Sequence, residues 1–221
     1  MAHLRAVIFD VDGTLIDSND AHARAWADAL RDHGYDVPVE RIRRLIGMGG
    51  DKLLPEVSGV EKESDLGKKI DERRQKIFNE QYLPTLHAFP KVRALVQHIQ
   101  QHGLKAGIAS SAKGEELGKL LKVAQIDDLV EAATSSSDAK ESKPDPDIVQ
   151  AAIDKLGCPV EQVIMVGDTP YDVEAAQRAG IQIIAVRCGG WDDDGLQGAE
   201  AIYDSPADLL AHYDQSPLAA C

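Results

Sequence analysis

Asp10 and Asp12 flank Val11 at the end of a short apolar run, Ala6-Val7-Ile8-Phe9, and are followed by Gly13-Thr14. A run of this length, rich in β-branched and aromatic side chains, reads as a strand buried on both faces of a parallel sheet. Gly13-Thr14 reads as a turn. In open α/β sheets, ligands bind beyond the carboxyl ends of the strands. Two carboxylates placed there repel each other and are costly to desolvate unless a cation lies between them. A hard divalent ion with oxygen ligands, usually Mg²⁺, meets that need. A carboxylate beside such an ion can attack phosphorus and carry an aspartyl phosphate. Taken alone, Asp-x-Asp-Gly is more simply a turn with an Asx cap; residues elsewhere in the chain decide between the two.

Three further sites supply them. Ser110 and Ser111 follow an apolar stretch, Lys105 to Ala109. Lys143 lies in the loop before a helix opened by Pro146. Gly167-Asp168 ends the run Val163 to Val166, with Asp172 soon after. In a parallel sheet these strand ends share one edge. Asp10, Asp12 and Asp168 can hold a divalent metal there, with Asp172 nearby. Lys143 offers a compact positive charge to a phosphate and to the nucleophilic carboxylate. Ser110 offers a hydroxyl to a phosphoryl oxygen, as do the backbone N–H groups after Asp10. Phosphoryl transfer needs this set: a nucleophile, charge neutralisation, and an acid for the leaving oxygen.

The elements that must position these groups alternate. After the first strand, Ser18 to His33 has helical spacing, with Ser18 or Asn19 as a cap and Gly34 as a stop. Val39 to Leu45 and Leu66 to Tyr82 are further helices, and Pro84 ends the last. The stretch 18–85 therefore reads as an all-helical insert without a strand. From His87 onward helix and strand alternate: helices at Lys91–Gln101, Glu115–Val123, Pro146–Leu156, Tyr171–Ala179 and Pro206–Tyr213; strands at Lys105–Ala109, Leu129–Thr134, Val163–Val166, Ile181–Val186 and Ala201–Tyr203. That alternation implies an α/β fold, a doubly wound parallel sheet. The core comprises 1–17 and 86–221, and residues from Gln215 onward are expected to fray.

Composition narrows the partners. The chain has 221 residues and a formal net charge of −13, with 43% hydrophobic and 28% charged residues. No basic field exists to attract nucleic acid or an anionic membrane. The three cysteines, Cys158, Cys188 and Cys221, are far apart and form no metal-binding pattern, which fits a reducing cytoplasmic compartment. The N-terminus runs directly into the first strand, leaving no room for a signal peptide, and no run approaches the length of a membrane span.

The four pieces, Asp10-Val11-Asp12-Gly13-Thr14, the strand ending in Ser110, Ser142-Lys143-Pro144-Asp145-Pro146, and Gly167-Asp168-Thr169-Pro170-Tyr171-Asp172, stand in an order and at separations that resemble the haloacid dehalogenase superfamily of hydrolases. The resemblance extends over essentially the whole chain, to members with a helical cap after the first strand. It implies a Rossmann-like core and an all-α cap at 18–85. It also implies Asp10 as nucleophile and Asp12 as general acid/base. Mg²⁺ would be held by Asp10, the backbone carbonyl of Asp12, and Asp168. Ser110 and Lys143 would bind phosphate, with Asp172 supporting metal and lysine. Members that break carbon–halogen or carbon–phosphorus bonds lack an acid at the position of Asp12. A leaving alkoxide needs a proton whereas a halide does not, so Asp12 favours phosphate esters.

Lesser features complete the pattern. Met48-Gly49-Gly50-Asp51-Lys52 resembles the cap segment carrying the Schiff-base lysine of phosphonoacetaldehyde hydrolases, an activity that Asp12 disfavours. His22 and Trp26, one helical turn apart, resemble a pair in β-phosphoglucomutases; packing within the insert accounts for them slightly better. The mutases carry a cap-loop arginine near the place of Gly50, absent here. The loop Gly47 to Lys52 is the expected substrate contact, Lys52 meeting an anion beside Ser110 and Ser111. Trp191 with Asp192-Asp193-Asp194 reads as a solvated loop, and Cys188 as a small packed residue. The expected activity is Mg²⁺-dependent hydrolysis of a small phosphorylated metabolite, phosphoglycolate being one example by family analogy. A phosphomutase and a non-catalytic phosphometabolite-binding protein are the alternatives. Protein partners are not specified by these features.

Overall fold

A computed structural model describes residues 3–219. Six strands form one all-parallel sheet: β1 (Ala6–Phe9), β2 (Lys105–Ala109), β3 (Ala132–Thr134), β4 (Val163–Gly167), β5 (Gln182–Val186) and β6 (Ala201–Tyr203), in the order β3-β2-β1-β4-β5-β6. Parallel strands need crossover connections, and helices supply them. The helices are α1 (Asn19–Asp32), α2 (Val39–Arg43), α3 (Gly50–Ser58), α4 (Asp65–Ile77), α5 (Val92–Gln101), α6 (Gly114–Val123), α7 (Asp147–Leu156), α8 (Pro170–Arg178) and α9 (Pro206–Ala211). The winding reverses at β1, so a crevice opens at the carboxyl ends of the central strands, where such sheets bind ligands.

The period of two along β1 divides the core. Val7 and Phe9 face the layer that includes Leu95 and Ile99 of α5 and Leu120 of α6. Ala6 and Ile8 face Val149 and Ile153 of α7 and Ala176 of α8. All four β1 side chains are fully buried, and burying an aliphatic side chain of this size contributes about 1.5–3 kcal/mol. This anchoring fixes where the strand stops and thus where Asp10 stands.

Helices α1 to α4 all fall between β1 and α5, and no sheet strand lies among them. The chain leaves and re-enters the sheet region through two segments that pair: Phe89 N–H donates to Leu15 O (2.9 Å) and Asp17 N–H to His87 O (3.2 Å). Helix α3 departs from the sequence expectation, which had a loop over Gly47–Lys52 and no helix after it. Gly49, Gly50 and Pro55 are breaker signals, yet Leu53, Leu54 and Val57 bury one face of the helix, and that burial outweighs propensity. The expected helix to Tyr82 ends as α-helix at Ile77 and continues as a π-helical turn. β3 begins three residues later than expected. The expected fraying after Gln215 is also corrected. Residues 213–219 form two 3₁₀ turns with Tyr213 and Leu218 buried. Cys221 lies outside the described residues.

Candidate active site

Asp10 is the first residue past β1, and its burial is nearly complete. Lys143 is fully buried, and its ammonium reaches Asp10 Oδ1 and, at 2.7 Å, Asp172 Oδ1. Local structure aims Asp172. Thr169 caps α8, and Asp172 at its third position closes a capping box. Asp172 Oδ2 accepts from the Thr169 hydroxyl at 2.7 Å and from Thr169 N–H at 3.1 Å. Its other oxygen is thereby free for Lys143. Pro170 at the first position has no N–H to satisfy.

Asp168 follows β4 and is fully buried. Thr14 donates its hydroxyl to Asp168 Oδ1 at 2.8 Å, and Asn19 donates its amide to Asp168 Oδ2 at 3.0 Å. Backbone approaches this carboxylate so closely that no side chain fits. A Cβ on Gly13, whose φ is +82°, would lie 2.2 Å from Asp168 Oδ2, and a Cβ on Gly189 would lie 1.7 Å from it. The expectation that Ser18 or Asn19 caps α1 is corrected: no side-chain cap bond is made. Ser18 donates instead to Asp12 Oδ1, and Asn19 serves Asp168.

Oxygen atoms of Asp10, Asp168 and Asp172 lie within 4.8 Å of one another. Burial, then repulsion from Asp172, pushes the Asp168 carboxyl up to about 8. Burial likewise holds Asp10 well above the ordinary carboxylate range, although Lys143 opposes it. Burial would lower Lys143, but Asp10 and Asp172 raise it, so it stays charged. One ammonium among three buried carboxylates leaves negative charge uncompensated, and the donors are hard oxygens. The residues therefore fit a divalent cation such as Mg²⁺.

Asp12 turns away from that cluster. Its Oδ1 lies 2.9 Å from His22 Nε2, and the His22 ring stacks on Phe78 at 4.0 Å. Burial would raise the Asp12 carboxyl; contact with His22 and the Ser18 hydroxyl holds it below the usual range. Ser110 is fully buried, and its oxygen accepts the Ala112 N–H at 3.1 Å, leaving its proton for another acceptor. Ser111 donates to Gly47 O at 3.3 Å across the junction with the insert.

A cavity of about 60 Å³ lies over these groups, walled by Asp10, Asp12, Ser111, the segment Ile46–Gly50, His22 and Trp26. Arg74 of α4 and Glu116 of α6 also line it; helical periodicity alone gave no reason to select either. Lys52 is placed differently from the expectation. Its ammonium pairs with Asp145 and, at 3.3 Å, Glu141, and it does not line the cavity. Cys188 is half-buried, its thiol 3.3 Å from Gly13 O and pushed up to about 12, first by burial and then by Asp168. A thiol held un-ionised in this way is a poor nucleophile. Asp192, Asp193 and Asp194 are exposed, as expected. Among the described residues no helix is long and apolar enough to cross a membrane.

A phosphoglycolate phosphatase of Aliivibrio fischeri is 27% identical over 215 residues, 94% of this chain and 92% of its own. The pyrophosphatase PpaX of Bacillus cereus is 28% identical over 213 residues, 94% of this chain and 95% of its own. The crystal structure of a hydrolase from Pseudomonas syringae superposes with a TM-score of 0.88 at 31% identity, covering 96% of this chain and 98% of that one. Residues 7–186 match the model of the haloacid dehalogenase-like hydrolases. That match runs from β1 through β5 and takes in every strand end at which the buried carboxylates and Lys143 converge, so the chain is an enzyme of the haloacid dehalogenase-like hydrolase family.

Proposed function

We propose that this protein is a Mg²⁺-dependent phosphatase that hydrolyses a small phosphomonoester through an aspartyl phosphate on Asp10. The observation that carries the proposal is the buried contact of Lys143 with both Asp10 and Asp172 beside Asp168. It sets a fixed positive charge next to a carboxylate that faces the cavity. Asp10 attacks phosphorus, the bond to the leaving oxygen breaks, and Asp12, ionised at rest, relays to that oxygen the proton carried in by the phosphomonoester monoanion. Asp12 then takes a proton from water, which attacks the phosphoryl group and frees Asp10. Lys143 and the Ser110 hydroxyl bind phosphoryl oxygens as charge develops on them. Asp10, Asp168 and the backbone carbonyl of Asp12 would hold the metal, which supplies Lewis-acid neutralisation of the phosphoryl oxygens.

Residues 18–85 act as a cap over the core formed by 1–17 and 86–221. Support comes from the contacts that cross the junction: Gly49 N–H to Ser142 Oγ at 3.1 Å, Tyr171 Oη to Arg44 O at 2.8 Å, and Lys52 with Asp145. Closing such a cap excludes bulk water from the aspartyl phosphate until the leaving group departs. The named relatives are a phosphoglycolate phosphatase and a pyrophosphatase; phosphoglycolate is a phosphomonoester of the class proposed here, whereas pyrophosphate is a phosphoanhydride.

The test is phosphate release from a panel of phosphomonoesters and pyrophosphate, in Mg²⁺ and in EDTA, for wild type and Asp10→Asn. The expected result is metal-dependent release that is absent in Asp10→Asn. Isomerisation of β-glucose 1-phosphate primed by a bisphosphate, without release, would make the protein a phosphomutase. No turnover with tight binding would make it a binding protein.

A further inference from the structure

Arg43, the last residue of α2, reaches out of the insert onto the loop after β5 and meets there the backbone that confines Asp168. Its Nη2 donates to the carbonyl oxygen of Gly189, and its Nε donates to Asp20 Oδ1 at 2.7 Å. The same Gly189 carbonyl accepts from Asn19 Nδ2 at 3.1 Å, and that nitrogen also donates to Asp168 Oδ2 at 3.0 Å. A carbonyl oxygen has two lone pairs and an amide nitrogen two protons, so the relay from Arg43 through Gly189 and Asn19 to Asp168 uses each of them once. Asn19 is buried, and its Oδ1 accepts no bond. Hydrogen bonding therefore aims this amide only through its two donations.

The relay admits no slack. A Cβ on Gly13 would lie 2.0 Å from Asn19 Nδ2, and one on Gly190 would lie 2.8 Å from Arg43 Nη2. Gly189 itself presses on the Asp168 carboxylate from the other side. The two partners of Arg43 differ in strength. Asp20 is largely exposed, and an exposed ion pair contributes little. Gly189 is buried, and a bond from a charged donor is stronger than a neutral one. Asp20 and Asn19 are consecutive, so one guanidinium spans both the loop against Asp168 and the helix start that carries its amide donor. Lifting α2 from the core breaks the bond to Gly189 and loosens both.

We infer that Arg43 is a positioning residue for Asp168, through which seating of the insert on the core and binding of a divalent cation favour each other. The inference rests on the proposed roles of Asp168 as a metal ligand and of 18–85 as a cap, and it deepens them. A ligand whose supporting partners are already held binds a metal more tightly than one that must be ordered on binding. Coupling of this kind is reciprocal: what closure does for the cation, the cation does for closure.

The test is calorimetric binding of Mg²⁺, without substrate, to wild type, Asn19→Ala, Arg43→Met and the paired variant. Arg43→Met is expected to weaken binding by about 3–10-fold, less than the roughly 10–100-fold typical of a group that touches the metal ligand itself. In the paired variant the two losses should combine to less than their product, because both act along one route. If Arg43→Met fails to fold, Arg43→Lys, which keeps the charge and loses the fork, is read in its place. Amide hydrogen exchange supplies a readout that a merely structural contact would not move. In wild type, Mg²⁺ should slow exchange in α2 several-fold more than in α9, and Arg43→Met should lose that selectivity. Equal Mg²⁺ affinity in wild type and variant, or selective protection of α2 that persists in the variant, overturns the inference. Phosphate release is not among these readouts, so the two proposals fail separately. Linked affinity and protection in a protein that turns over no phosphomonoester sinks the phosphatase and keeps the inference; metal-dependent turnover with unlinked Mg²⁺ binding does the reverse.

Discussion

The two charged groups that meet at the cavity are built in opposite ways. Asp10, Lys143, Asp168 and Asp172 stand at strand ends, in the loops just beyond them or, for Asp172, in the first turn of α8, and backbone, caps and close glycines fix them. Arg74 and Glu116 stand in the last turn of helix α4 and near the start of α6, and they are fixed by side chains: each other's, and for Arg74 also Asp71 and Trp26. The first group is rigid before any ligand arrives. The second exists only while insert and core are apposed. Chemistry common to many substrates can use the first, whereas the second is carried by helices outside the sheet.

The contrast predicts that damage to the first group costs rate whatever the substrate. Lys143→Met should lower kcat by about 10²–10³-fold on every substrate. It should also cost about 3–5 kcal/mol of stability, because it leaves buried Asp10 and Asp172 unpaired; urea unfolding reads this. A variant that keeps its rate would remove the lysine from the chemistry. Gly189→Ala alters no functional group, yet its Cβ must displace Asp168. A loss of about 10–100-fold in Mg²⁺ affinity or rate is expected, and unchanged Mg²⁺ titration would show that Asp168 is not held from that side.

A third prediction concerns pH. The folded Asp168 carboxyl titrates near 8, above its ordinary value of 3.8. Between those values the folded form holds a proton that the unfolded form releases. In EDTA, stability is therefore greatest at the acidic end of the window and falls as pH rises from about 4 through 8. Mg²⁺ favours the carboxylate and should flatten the trend. Melting temperatures at pH 6 and pH 8.5 should differ by at least ~3 °C more in EDTA than in Mg²⁺. Equal slopes would mean that no metal relieves the cluster. The smallest effect is expected at Lys52, partly exposed and paired with Asp145. Lys52→Ala should change kcat/KM by less than about 2-fold and stability by about 0–1 kcal/mol, and a large rise in KM would return it to the substrate site.

The same contrast explains what was legible in the sequence. Asp10, Asp168 and Lys143 were found because strand ends are marked by apolar runs that stop abruptly, and parallel topology brings those ends together. Among the described residues, all six strands were located on the same basis, and eight of nine α-helices from helical spacing and its stop signals. Helix α3 was hidden by Gly49, Gly50 and Pro55, whose local signal tertiary burial overrides. Asn19 looked like a helix cap because its type fits one; its role at Asp168 depends on a residue 149 positions away. Arg74 looked like any charged residue on a solvated helix. Its partner Glu116 is 42 positions further on, and no periodicity in either helix announces the pair. Lys52 was chosen for its charge beside flexible glycines, and the acidic pair Glu141 and Asp145 that captures it could not be placed without the fold.

The central claim is that phosphorus passes through Asp10. Its most direct measurement is rapid acid quench of wild type turning over its best panel substrate in Mg²⁺, followed by peptide mass analysis. The account predicts the added mass of one phosphoryl group on the peptide containing Asp10, labile to hydroxylamine and absent in Asp10→Asn. Steady phosphate release with no adduct on that peptide, persisting in Asp10→Asn, would contradict it.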